Sequence, residues 1–182
     1  NLIKAITTVG SYTMLSRVFG FVRDILVAAV LGAGSVADAF FVAFRFPNLF
    51  RRLFAEGAFA AAFVPIFSSI LEQEGREKAR ELAEQVFAVL SVILVLFVVL
   101  MELAMPWAMW ALAPGFDEVE GKMEMATEMS RIAFPYLLFI SLVSLQSGVL
   151  NSLGHFAAAA AAPVLLNLVL IAAMLGFRDA LE

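Results

Sequence analysis

Arginines set inside apolar sequence are the residues most able to do chemistry. The stretch Ser16–Asp24 reads SRVFGFVRD and places Arg17, Arg23 and Asp24 among side chains fit for a bilayer interior. A charged group at the centre of a transmembrane helix costs roughly 2.5–3.5 kcal/mol on insertion scales. Something must offset that cost. In the next segment Asp38, Arg45 and Arg52 recur every seven residues, and Asn48 falls between the two arginines. On a helix these residues share one stripe, because seven residues complete nearly two turns. Glu56 follows Arg52 by four residues, a spacing that permits a pair. Arg51 stands about 100° to one side of the stripe. In the first segment Arg17 and Asp24 share a face, and Arg23 lies about 120° from Arg17.

Five arginines (Arg17, Arg23, Arg45, Arg51, Arg52) stand against three acids (Asp24, Asp38, Glu56). The positive surplus calls for a counter-ion, and guanidinium forks fit phosphate or carboxylate best. One reading is therefore a cavity shared by the first two helices, lined with arginine and open to an anionic substrate. A structural reading stands beside it. Arg23–Asp24 and Arg52–Glu56 can be internal pairs, and Arg51 and Arg52 can snorkel to headgroups.

The elements that carry these charges follow from composition. Of 182 residues, 63% are hydrophobic and 15% charged, with a mean hydropathy of +0.95. Soluble domains run nearer to about 45–50% apolar and about 25% charged. The expected fold is all-α: a polytopic membrane bundle of five transmembrane helices, since each span takes about 20 apolar residues. The spans are expected at about 2–31, 36–71, 82–112, 126–154 and 156–178, in one bundle. Gly32–Ser35 is a tight loop with Ser35 as a candidate N-cap. Pro47, Gly57 and Pro65 make the second segment a bent helix or two half-helices, tolerated in membranes where they are buried or line a wet cavity. Glu72–Glu81 reads as a solvated connection. Trp107 and Trp110 mark a headgroup boundary.

Loop charge sets the expected orientation. Arg76, Lys78 and Arg80 lie between the second and third spans, while Lys122 is alone among Asp117, Glu118, Glu120 and Glu124 in the next loop. The positive-inside rule then puts the amino terminus in the cytoplasm. No cleavable signal peptide is expected, because the first apolar stretch is long and interrupted by arginine.

Other classes are disfavoured. The chain has no cysteine and one histidine, His155, which excludes thiolate chemistry and leaves no metal cluster built on those residues. No cofactor is expected. A net charge of −4 argues against nucleic acid. A polyprenyl-phosphate phosphatase or phosphotransferase would need clustered carboxylates or an activated nucleophile. Ser144, Ser147 and Asn151, like Asn167, read as helix–helix glue. His155 is expected at an interface, and Met123, Met125 and Met129 on one face of a short amphipathic helix.

The motifs SRVFGFVRD, LGAGSVADAFFVAFRFPNLFRRLFAEGAFAAAFVPIF, APGF, FPYLLFISLVSLQSGVLNSLG and APVLLN together resemble the MurJ (MviN) family of lipid II flippases. The resemblance covers nearly the whole chain. It implies a transporter, not an enzyme, of the multidrug/oligosaccharidyl-lipid/polysaccharide exporter superfamily, in the bacterial inner (cytoplasmic) membrane. Its cargo would be lipid II, the undecaprenyl-diphosphate-linked peptidoglycan precursor, moved to the outer leaflet by alternating access. By motif, Arg17, Arg23 and Arg51 would hold the diphosphate. Asp38 and Glu56 match positions linked to gating or cavity shape, Arg45 matches a basic position, and Asp24, Asn48 and Arg52 line the same region. The family is roughly 500 residues, so the chain corresponds to the first helices of an amino-terminal lobe. The expected partners are lipid II, membrane lipids and the remaining carboxy-terminal lobe. The alternatives are export of another anionic lipid-linked oligosaccharide, or a fragment without transport of its own.

Overall fold

The computed structural model describes residues 2–52 and 58–176. Among these residues the chain is helical and contains no strand. The helices are α1 (Leu2–Leu31), α2 (Ser35–Arg51), α3 (Ala58–Gln73), α4 (Arg76–Leu112), α5 (Lys122–Ala133), α6 (Tyr136–Ser152) and α7 (Phe156–Gly176), with a 3₁₀ turn at Phe116–Glu118. Three stretches are long and apolar enough to cross a membrane by length and composition: Arg76–Leu112, Lys122–Ser152 and Phe156–Gly176. The all-α membrane bundle expected from composition is the observed fold.

The helix boundaries depart from expectation for local reasons. Gly34, not Ser35, precedes α2, with φ 154° and ψ −171°, a conformation open essentially only to glycine. Its carbonyl accepts the Asp38 N–H at 3.0 Å, so Ser35 opens the helix instead of capping it. Pro47 is buried inside α2 without ending it. It removes one ladder donor, and the Asn48 side-chain amide donates to the Phe44 carbonyl at 2.8 Å beside that gap. The expected solvated connection shrinks to the turn between α3 and α4. Its basic residues form the first turns of α4, where Lys78–Glu81 and Arg80–Glu84 pair at 2.8 Å each. Pairs three and four residues apart favour the helix. The fourth expected span is two helices, divided at Phe134–Pro135, because proline supplies no N–H to the ladder.

Two clusters hold the bundle, and both use α4. Phe46 of α2, Val98, Met105 and Met109 of α4, Ala126 of α5, and Phe134 and Leu137 make the first. Its aromatic centre is tight, with ring centroids 5.1 Å apart for Phe46–Phe134 and 5.0 Å for Phe50–Phe97. Met123, Met125 and Met129 pack against this cluster, as their expected amphipathic face requires. The second cluster joins Phe63 and Phe67 of α3, Leu90 and Leu94 of α4, and Leu145 of α6. At Gly148 a side chain would stand 3.1 Å from Val64 Cγ2, so the missing Cβ lets α6 close on α3. Ser68 and Ser152 add a hydroxyl bond of 3.2 Å across the same contact. Helix α1 lies along α7, and α7 returns to the bundle through α6. Trp107 and Trp110 are exposed near the end of α4, as a headgroup girdle requires.

Candidate anion site

Arg23 is the most completely positioned of the candidate residues. It sits on α1, on the side that meets α7. Its Nε and Nη2 donate to Asp24 Oδ1 at 3.0 and 2.7 Å. Its Nη1 donates to Asn167 Oδ1 of α7 at 2.8 Å. The Asn167 amide in turn donates to the Ser16 carbonyl at 3.1 Å and the Ser16 hydroxyl at 3.4 Å. A guanidinium has five N–H donors. Three are engaged in these bonds, leaving one on each terminal nitrogen. The side chain of Arg23 is 25% exposed and that of Asp24 is 67% exposed. The pair is thus a charged, oriented fork at an accessible edge.

Arg51 repeats the arrangement on α2. Its Nε donates to Asn48 Oδ1 at 3.1 Å, while Asn48 is itself tied to the Phe44 carbonyl. In both cases an asparagine oxygen accepts from the arginine, and Arg23 is paired with Asp24 as well. Arg17, Arg45 and Arg52 are exposed. Glu56, and with it the expected Arg52–Glu56 pair, lies outside the described residues.

One expectation changes. Asp38 does not offset the arginines: its Oδ2 accepts from Lys122 Nζ at 2.7 Å. Lys122 is 13% exposed at the start of α5 and also lies 4.3 Å above the Phe116 ring, a cation–π arrangement. Asp38 and Arg51 stand thirteen residues apart, about 20 Å along α2. A carboxylate committed to that ammonium is spent at the far end of the helix. The two helices expected to flank a cavity pack mainly on other partners, α1 on α7 and α2 on α5 and α6. The physical cause is the partner each helix finds. Asn167 offers α1 both an acceptor and a donor, while Phe46 and Phe50 of α2 interlock with Phe134.

Asn167 was legible only as glue in an apolar span, and nothing in the spacing pointed from it to Arg23. Lys122 could be singled out as the one base in an acidic loop, but not its target. Glu102 was passed over; its Oε1 is buried and without a hydrogen-bond partner among the described residues. A separate cavity of about 660 Å³ between α3, α4 and α6 is floored by Phe67, Leu71, Leu145 and Leu150, and none of the arginines of α1 and α2 line it.

Apolar spans with hydrogen-bonded arginines on two helices define a polytopic helical membrane protein that presents oriented cations. Comparison with known proteins places it within that class. The family described as "Lipid II flippase MurJ" matches residues 27–182. A probable lipid II flippase MurJ of Rhizobium tropici is 52% identical over 175 residues, which is 96% of this chain and 33% of that protein. The lipid II flippase MurJ of Burkholderia cenocepacia is 45% identical over 173 residues, 95% of this chain and 34% of that protein. A probable lipid II flippase MurJ of Buchnera aphidicola (Schizaphis graminum) is 40% identical over the full 182 residues, 35% of its own length. The chain belongs to the lipid II flippase MurJ family. It spans about a third of the length of the relatives it matches.

Proposed function

We propose that this chain is the amino-terminal part of a transporter that moves the lipid-linked peptidoglycan precursor, lipid II, between leaflets of the bacterial inner membrane. It is a carrier and makes or breaks no covalent bond in its cargo. The observation that carries the reading is the Arg23 fork. Asp24 and Asn167 hold it in place, and it keeps a donor on each terminal nitrogen. A diphosphate presents several charged acceptor oxygens, and charge-assisted bonds to it are roughly twice as strong as neutral ones. Arg17 and Arg51 complete the set of cationic ligands when the carboxy-terminal lobe closes the site. Alternating access then comes from rocking of the two lobes about that site. The basic first turns of α4 face the cytoplasm, so the amino terminus is cytoplasmic too.

The test is native mass spectrometry of the full-length protein with lipid II and with phosphatidylglycerol as the comparison lipid. Wild type is set against the Arg17→Ala/Arg51→Ala double variant. The expected result is a preference for lipid II that the double variant loses. Equal binding of both lipids, unchanged by the substitutions, removes the diphosphate role from these arginines.

A further inference from the structure

We infer that Asn167 is a positioning residue for the anion site: it sets the orientation of the Arg23 guanidinium and ties it to α7. The inference rests on the diphosphate reading of Arg23 given above. Asn167 is 6% exposed in the middle of a helix that is otherwise apolar. Both ends of its amide are used across the α1–α7 contact, the oxygen by Arg23 and the nitrogen by Ser16. Gly20 lies at the same contact, where a Cβ would be 3.6 Å from Asn167 Nδ2.

The chemistry selects an amide at this position. A carboxylate would accept from Arg23 more strongly and compete with a phosphate for the donors that remain. It would also lose the N–H bonds to Ser16. An aliphatic residue would leave an Arg23 donor without an acceptor inside the helix contact, and a donor left unmatched there carries its full desolvation cost. An amide fixes the guanidinium with a neutral acceptor, so no second carboxylate joins Asp24 against its charge. Because the acceptor belongs to α7, displacement of α7 along α1 would release Arg23 from one of its three bonds. The hold on an anion is thereby linked to the helix contact.

The test uses the full-length protein and undecaprenyl diphosphate as probe. Affinity is measured for wild type, Asn167→Ala, Asn167→Asp, Arg23→Ala and the Asn167→Ala/Arg23→Ala double variant, each with its thermal midpoint. Asn167→Ala is expected to weaken binding about tenfold, an energy of about 1.4 kcal/mol. Asn167→Asp, nearly identical in size, is expected to weaken it further. In the Arg23→Ala background the Asn167 substitution is expected to change nothing, since the two act as one unit. Wild-type affinity in both Asn167 variants, with Arg23→Ala weakened, overturns the positioning role and leaves the diphosphate reading standing. An equal loss with and without Arg23 makes Asn167 a packing residue and also overturns it. Unchanged affinity in Arg23→Ala removes the diphosphate reading of that arginine and the inference together. Should Asn167→Ala fail to fold, the isosteric Asp variant decides, because packing alone predicts no change for it.

Discussion

An asparagine oxygen accepts from each of two arginines, Arg23 and Arg51, and at Arg23 an acid shares the work. Asp24 satisfies one edge of Arg23, but Asn167 and Asn48 hold Arg23 and Arg51 through neutral oxygens. The one long-range ion pair described, Lys122–Asp38, is spent elsewhere, joining the first turn of α2 to the first turn of α5. Lys122 is mostly buried in that pair while Asp38 is 56% exposed. Its contribution should therefore sit near the upper limit for exposed pairs, about 1 kcal/mol. Asp38→Asn is expected to lower the thermal midpoint of the full-length protein by a few degrees, with little further loss when Lys122→Ala is added. Additive losses from the two substitutions would show that the residues act independently.

The elements tell why the charges end up where they do. Helix α2 is committed to the core by Phe46 and Phe50, whose rings meet Phe134 at the α5–α6 break. Phe134 is fully buried where Pro135 interrupts the ladder. In a membrane, helices associate through packing and not through the hydrophobic effect, so a void there forfeits dispersion contacts outright. Phe134→Ala is expected to destabilise the full-length protein by about 3 kcal/mol, at the low end for such truncations. Thermal or denaturant unfolding in detergent would measure it. A loss well under one unit on that scale would mean the break collapses and fills the space. Much of this layer was legible beforehand. The apolar runs gave helices, and Met123, Met125 and Met129 gave the amphipathic face of α5. The break at Pro135 and the early start of α4 at Arg76 were not read. The apolar run at the break continues unchanged through the proline. At Arg76 the charged residues resemble a loop until their own pairs stabilise a helix.

At the scale of the molecule, the bundle sets Arg76, Lys78 and Arg80 at the first turns of α4 and an acidic loop around Asp117–Glu120 at the other end of that helix. The chain has no cysteine, which makes sidedness directly measurable. In a full-length protein freed of other cysteines, Lys78→Cys is expected to react with a membrane-impermeant maleimide only after cells are opened. Glu120→Cys is expected to react in spheroplasts with the inner membrane intact. The reverse pattern would invert the proposed topology. By itself the sequence determined that this is a helical membrane protein and that its unusual investment is arginine, because hydropathy and the cost of buried charge act residue by residue. The family motifs could be read in the same way, from consecutive residues. Only the tertiary structure decided which charges are spent and which are kept. Pairing depends on what stands opposite, and Asn167 meets Arg23 across 144 positions of chain, Lys122 meets Asp38 across 84. No periodicity along one helix encodes a partner on another.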